Sequence, residues 1–175
     1  MKLGIVVGHS KEKQGAYNKD LDITEYYLNE DLGKAVLDVC IERNIPSVLV
    51  YRLNGYSKLP NEINALGVDY CICLHHNASG KRSVNGTETL YYTRSETSRR
   101  FAQKVNDSMV KTLGFRDRGL LPREKGNGVH VLKNTSMPCI LVEPYFMSNT
   151  KAVENRDTVA LANAIIDGYL EFLGE

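Results

Sequence analysis

Residues 71–80, CICLHHNASG, set two of the chain's four histidines side by side at the end of an apolar run. The run begins at Asp69, is short and continuously apolar, and stops in polar residues, as a β-strand covered on both faces does. Neighbouring residues on a strand point to opposite faces. His75 and His76 therefore cannot play one role in one compact site.

Similar runs recur on either side. LGIVV (3–7), SVLVYR (47–52) and CILVE (139–143) are also nearly continuous and read as central strands. GTETLYY (86–92) alternates and suits an edge or mixed-direction strand, and VHVL (129–132) reads as a further short one. Between them, apolar residues recur at helical spacing: Leu28, Leu32, Val36 and Val39 within 25–43, Phe101, Val105 and Met109 within 95–113, and Ala162, Ile165, Ile166 and Tyr169 within 151–173. Strands alternating with helices predict an α/β fold. The expectation is a single domain over residues 1–175, with a twisted, mostly parallel (mixed) sheet of about six strands flanked by helices on both faces.

Composition narrows the class. Of 175 residues, 42% are hydrophobic and 25% charged, as in ordinary soluble domains. No apolar run approaches the roughly 18 residues of a membrane span, so no membrane insertion is expected. The opening MKLGIVVGHS loses its apolar character after Val7 and does not read as a signal peptide, which points to synthesis in the cytoplasm. Cys40, Cys71, Cys73 and Cys139 lie in apolar runs without a C-x-x-C and read as buried, reduced thiols. Residues 81–125 carry 11 Lys/Arg against 5 Asp/Glu, a basic half suited to an anionic polymer or to a solvated surface. No RNA-binding signature or zinc-finger spacing favours nucleic acid as the partner.

In open α/β sheets, sites form beyond the carboxyl ends of the strands. Three runs end there in reactive residues: His9, His75 and Glu143. Glu25 opens the first helix. Two imidazoles and a carboxylate form a common catalytic zinc set, with a further carboxylate for proton transfer. Spacing alone leaves alternatives open. Asp22-Ile-Thr-Glu25 also resembles a capping box, Asn77 fits a turn, and His130 reads as a surface or core histidine. Cys71, Cys73 and His75 share one strand face, but ligands about 6.6 Å apart in a line suit a tetrahedron poorly.

Five segments in this order resemble the zinc-dependent N-acetylmuramoyl-L-alanine amidases of the amidase 3 type, including catalytic domains of endolysins from clostridial phages. They are VVGHS (6–10), TEYYLNEDLGKAV (24–36), LHHNAS (74–79), NGTETLYY (85–92) and PCILVEPYFMSN (138–149). The resemblance implies one zinc per chain on His9, Glu25 and His75, Glu143 as the catalytic carboxylate, and Asn77 as a substrate contact. It implies hydrolysis of the amide between the lactyl group of N-acetylmuramic acid and L-Ala, hence cell-wall lysis. The implied partner is bacterial peptidoglycan, met by a monomer, with no cell-wall-binding domain expected within residues 1–175. A peptidase acting within the stem peptide and a non-catalytic wall-binding module are the alternatives. Where the family often has Asp-Pro-Gly-His-Gly, this chain has Val6-Val7-Gly8-His9-Ser10, and His76 stands at a position usually filled by Ala.

Overall fold

The computed structural model describes residues 1–126 and 128–174. In chain order its elements are β1 (Leu3–Val7), β2 (Tyr17–Asn18), β3 (Ile23–Thr24), α1 (Glu25–Glu42), β4 (Ser47–Val50), α2 (Leu59–Asn64), β5 (Tyr70–Leu74), β6 (Thr87–Tyr92), α3 (Glu96–Leu113), β7 (Asp117–Arg123), α4 (Val129–Asn134), β8 (Cys139–Glu143), α5 (Thr150–Glu154) and α6 (Thr158–Leu173). Six strands form one sheet in the order β4-β1-β5-β8-β6-β7, and β2 and β3 form a separate two-stranded ribbon. All pairs in the large sheet are parallel except β6 against β8. The α/β class, the strand number and the mixed direction are as expected. No helix among the described residues is long and apolar enough to cross a membrane.

Strand alternation divides the core. Leu3, Ile5, Ile72, Leu74, Ile140 and Val142 face α1, α3 and α6. Val6, Cys71, Cys73, Cys139, Leu141 and Leu90 face the other way, toward the two six-residue helices α2 and α4. On the first side α3 buries Phe101, Ala102, Val105 and Met109, and its N-terminus is capped by Ser95 Oγ accepting from the Ser98 N–H. Phe101, Tyr169 and Phe172 join Tyr70 in an aromatic cluster, the Phe101 and Phe172 rings 5.0 Å apart.

The structure corrects four sequence expectations. Residues 129–132 are helical, within α4. A four-residue apolar run has no period long enough to separate a strand from a buried helical turn. The sixth strand is β7, sequence DRGLLPR, whose charged residues, Gly119 and Pro122 hide it; these are features of an edge strand, the place it occupies. β4 also lies at an edge, only partly buried, rather than centrally. Finally, residues 151–173 form two helices, because Asp157 starts α6 afresh by accepting from the Ala160 N–H.

The tightest helix contact lies between α3 and α6. A Cβ on Gly168 would stand 2.6 Å from Val105 Cα and 2.7 Å from the Lys104 carbonyl oxygen, both backbone atoms with nowhere to go. Gly168→Ala should therefore destabilise the fold by about 1–3 kcal/mol through overpacking, despite the ~1 kcal/mol that alanine gains in a helix. A lower urea midpoint at unchanged m-value is the expected result; a midpoint at or above the wild-type value would refute the close approach.

Candidate metal and catalytic site

β1, β5 and β8 are neighbours running in one direction, so their C-terminal ends form one rim. His9 follows β1, His75 follows β5, and Glu143 is the last residue of β8. The β2–β3 ribbon folds the intervening chain back over this rim, with the Glu25 N–H donating to the Ala16 carbonyl (2.9 Å) and the Tyr26 N–H to that of Gln14 (3.0 Å). Glu25, the first residue of α1, is thereby brought to the strand ends. Thr24 occupies the N-cap without a side-chain cap bond, and Asp22 accepts from the Tyr17 hydroxyl instead. The capping-box reading of Asp22–Glu25 does not hold, and Glu25 turns to the strand ends instead.

Glu25 is the hub. Its Oε2 lies 2.8 Å from His9 Nε2, and its Oε1 lies 2.8 Å from His75 Nδ1. The backbone N–H groups of Ala16 and His76 donate to the same two oxygens, at 3.2 and 3.3 Å. Burial alone would raise this carboxyl's pKa, but the imidazoles of His75 and His9 hold it well below the usual carboxylate range. The donor atoms of His9, Glu25 and His75 all lie within 4.8 Å of one another. A tetrahedral zinc with bonds of about 2.0–2.1 Å spreads its ligands roughly 3.4 Å apart, so small side-chain shifts suffice to admit the ion. The turn is built for close approach: a Cβ on Gly8 would lie 2.4 Å from the Leu74 carbonyl oxygen and 2.6 Å from His75 Nε2. His9 itself takes the left-handed φ of 67°, an uncommon conformation for a non-glycine residue.

Glu143 lines the same cleft, and its Oε2 is buried without a hydrogen-bond partner. Burial, then the nearby charges of Glu25 and Glu88, push its carboxyl well above the usual range, with Arg123 opposing in part. Asn77 also lines the cleft, but its amide N–H donates to Glu88 Oε1 (2.6 Å) and its Oδ1 accepts from the Ala78 N–H (2.8 Å). Glu88 pairs across the strands with Glu143 in register and also accepts from Arg118. Sequence reading missed Glu88 and Arg123 as cleft residues. The alternation in GTETLYY, which puts Glu88 on one face with Leu90, was the available signal for the first. The cavity measures about 570 Å³, within the range of small-ligand sites.

The remaining candidates lie elsewhere. Cys71 and Cys73 group with Cys139 in the apolar core, with Cys73 and Cys139 Sγ 3.9 Å apart, and His75 does not join them. His130 sits on α4, within hydrogen-bond distance of the Ser57 carbonyl and against the Tyr56 ring. His76, 2% exposed, faces the long-helix side. Its Nδ1 lies 2.7 Å from Asn29 Oδ1, while Asn29 Nδ2 donates to the Gly8 carbonyl (3.2 Å). That chain makes Nδ1 the protonated nitrogen of His76.

Burial pushes the His76 imidazole down to about 3, below the ~6.5 of an unfolded chain. The folded protein thus keeps it neutral while the unfolded chain takes up a proton. Stability from this difference is complete above about pH 6.5 and is lost as pH falls toward 3. Glu25, with its depressed pKa, acts in the same direction only below its unfolded value of about 4.5. Between pH 6.5 and 4.5 His76 therefore lowers the stability of metal-free protein, while Glu143, whose raised carboxyl takes up its proton first in the folded state, acts the opposite way. His76→Gln should remove the first contribution, so that stability falls less, or rises more, on acidification than in wild type, read as urea midpoints across the range. An unchanged slope in the variant would show that His76 is not the titrating group.

A family model described as N-acetylmuramoyl-L-alanine amidase matches residues 3–173. LytC, an N-acetylmuramoyl-L-alanine amidase of Bacillus subtilis (strain 168), is 28% identical over 174 residues, covering 94% of this chain and 34% of LytC. CwlM, the amidase of that description from Bacillus licheniformis, is 27% identical over 173 residues, covering 97% of this chain and 66% of CwlM. The chain thus spans about a third of one relative and just under two thirds of the other. Among solved structures, the catalytic domain of the amidase CwlV from Bacillus (Paenibacillus) polymyxa var. colistinus superposes with a TM-score of 0.86 at 26% identity, covering 99% of this chain and 98% of that one.

Proposed function

Because the chain belongs to the N-acetylmuramoyl-L-alanine amidase family, we propose that it hydrolyses the amide between the lactyl group of N-acetylmuramic acid and the L-Ala of the stem peptide in bacterial peptidoglycan. The observation that carries this reading is the convergence of His9, Glu25 and His75 beside the unpartnered carboxyl of Glu143 in one open cleft. In this reading His9, Glu25 and His75 hold one Zn²⁺ per chain. When bound, zinc supplies Lewis acidity toward a carbonyl and makes water a stronger acid.

The protein's own groups carry the protons. Glu143 takes a proton from the water whose oxygen adds to the lactyl carbonyl carbon. As the carbon–nitrogen bond breaks, it returns that proton to the departing L-Ala nitrogen. A carboxyl pushed up by burial and by neighbouring carboxylates holds a proton more readily than an exposed one, which suits the return of the proton to the leaving nitrogen. Glu25 is unsuited to it, since the two imidazoles hold it ionised. Asn77, anchored through Glu88, holds the cleft wall and offers its second amide N–H and the second lone pair of its Oδ1 to the glycopeptide.

Two variants separate the roles. Glu143→Gln should retain about one zinc per chain by elemental analysis yet lose wall lysis by at least about a hundredfold, as removal of a general base does. His75→Ala should lose both metal and lysis. Lysis by Glu143→Gln at the wild-type rate would sink the mechanism, and a wild-type protein free of zinc would sink the site. Lactyl carboxyls and new N-terminal alanines among the products identify the amidase; new termini at other residues identify a peptidase.

A further inference from the structure

β6 and β7 run in the same direction, with Tyr92 opposite Arg123. Alternation puts Glu88, Leu90 and Tyr92 on one sheet face, and register places Arg123 beside them. Arg123 lines the catalytic cleft with Leu90, Leu141 and Glu143. The strand carrying His75 and the strand carrying Arg123 are separated by β8 and β6. Three inter-strand steps amount to about 14 Å, so Arg123 marks the end of the cleft away from the histidines.

Its guanidinium is set apart from its neighbours. Arg82, Arg94, Arg99 and Arg118 pair with Asp20, Glu124, Glu96 and Glu88 respectively. Among the described residues, Arg123 has no side-chain hydrogen bond or ion pair, and its Nε is buried without a partner. The carboxyl of Glu143 opens onto the same cavity with its Oε2 equally unpartnered. The two side chains share a cleft without pairing with each other. A buried donor left unmatched is costly, so whatever enters the cleft gains by supplying the acceptor. The planar fork of arginine matches a carboxylate best.

We propose that Arg123 is a specificity-determining residue that binds a carboxylate on the peptide arm of the substrate, at the end of the cleft away from the scissile amide. The inference rests on the amidase reading and adds to it a preference for an acidic stem peptide. Two substrate groups offer this chemistry. A glutamate joined through its side chain as the second residue leaves an α-carboxylate free, and a diaminopimelate third residue brings one of its own.

Three soluble N-acetylmuramoyl tripeptides separate the sources. The first has a free second-residue carboxylate and a third-residue lysine. The second is the same peptide with that carboxylate amidated. The third keeps the amide and has diaminopimelate third. Wild-type protein should favour either the first or the third over the second by about tenfold or more in kcat/KM, as a charge-assisted pair implies. The one favoured identifies the carboxylate. In Arg123→Ala that ratio should fall to about one, mainly through KM, and Arg123→Lys should restore part of it. Equal zinc content and thermal midpoints show that the variants fold. A wild-type enzyme indifferent to these carboxylates, or an Arg123→Ala ratio equal to wild type, overturns the subsite. Calorimetric titration of the corresponding free tripeptides tests binding without turnover. Arg123-dependent binding of the acidic peptide without cleavage would leave the subsite standing and remove the amidase reading. Cleavage without Arg123-dependent discrimination would do the reverse, and neither binding nor cleavage would remove both.

Discussion

The site depends on one buried carboxylate. Glu25 ties the turn after β1, the end of β5 and the start of α1 into a single junction through four contacts, two from imidazoles and two from backbone N–H groups. Taking a carboxylate out of water is costly unless its lone pairs and its charge are both met. The backbone groups meet lone pairs. Positive charge must come from protonated imidazole or from a cation that the imidazoles help to hold. The pairing of β1 with β5 brings His9 and His75 to that carboxylate together, and the short β2–β3 ribbon folds residues 14–16 over the strand ends beside it. Without the ribbon, Ala16 and Gln14 could not fix the first turn of α1. Placement at a helix N-terminus adds a modest favourable field for the negative charge.

Three carboxylates lie along the cleft, and their partners set them apart. Glu25 is held ionised by the two imidazoles. Glu88 is matched by Arg118 and by the amide of Asn77. Glu143 has neither kind of partner at its Oε2, and its neighbours' charges oppose its ionisation. Separating pKa values by environment is how one set of identical groups takes on different duties. Glu88 also links the cleft to the edge of the sheet. It binds Asn77 beside the histidines, while Arg118 on β7 reaches it from the edge of the sheet and rests against the Phe146 ring, 4.9 Å from its centroid.

What could be read in the sequence follows from the range of each signal. The period of two along CICLHH separated His75 from His76 without knowledge of the fold, and long helical periods located α1 and α3 nearly to the residue. Assigning roles to Glu25 and Glu143 required the ordered match of five segments, because nothing local tells a ligand from a cap or a strand-end acid. VHVL was misread and DRGLLPR passed over, for opposite reasons. The first is too short for its period to count. The second is a genuine strand whose edge position tolerates glycine, proline and charge. Arg123 was invisible because its place is set by the pairing of β6 with β7, a relation between segments some thirty residues apart.

The two faces of the sheet divide the labour that the histidine pair first suggested. The face under α1, α3 and α6 is sealed by long helices, whereas the face under α2 and α4 is covered by two helices of six residues, and the cleft opens there. His75 points to the open face and His76 to the sealed one, yet both act on one junction. His75 reaches Glu25 through its ring; His76 reaches it through its backbone N–H, and its own ring holds Asn29, which in turn holds the carbonyl of Gly8. The chain is paired from His76 Nδ1 to the Gly8 carbonyl, whereas His76 Nε2 is buried without a partner. It holds the carbonyl of Gly8, the residue before His9 with its left-handed φ of 67°. His76 thus reaches the turn before His9 from the opposite side of the sheet, through Asn29. A small apolar side chain in its place would leave Asn29 Oδ1 without its donor and the turn before His9 held by fewer bonds.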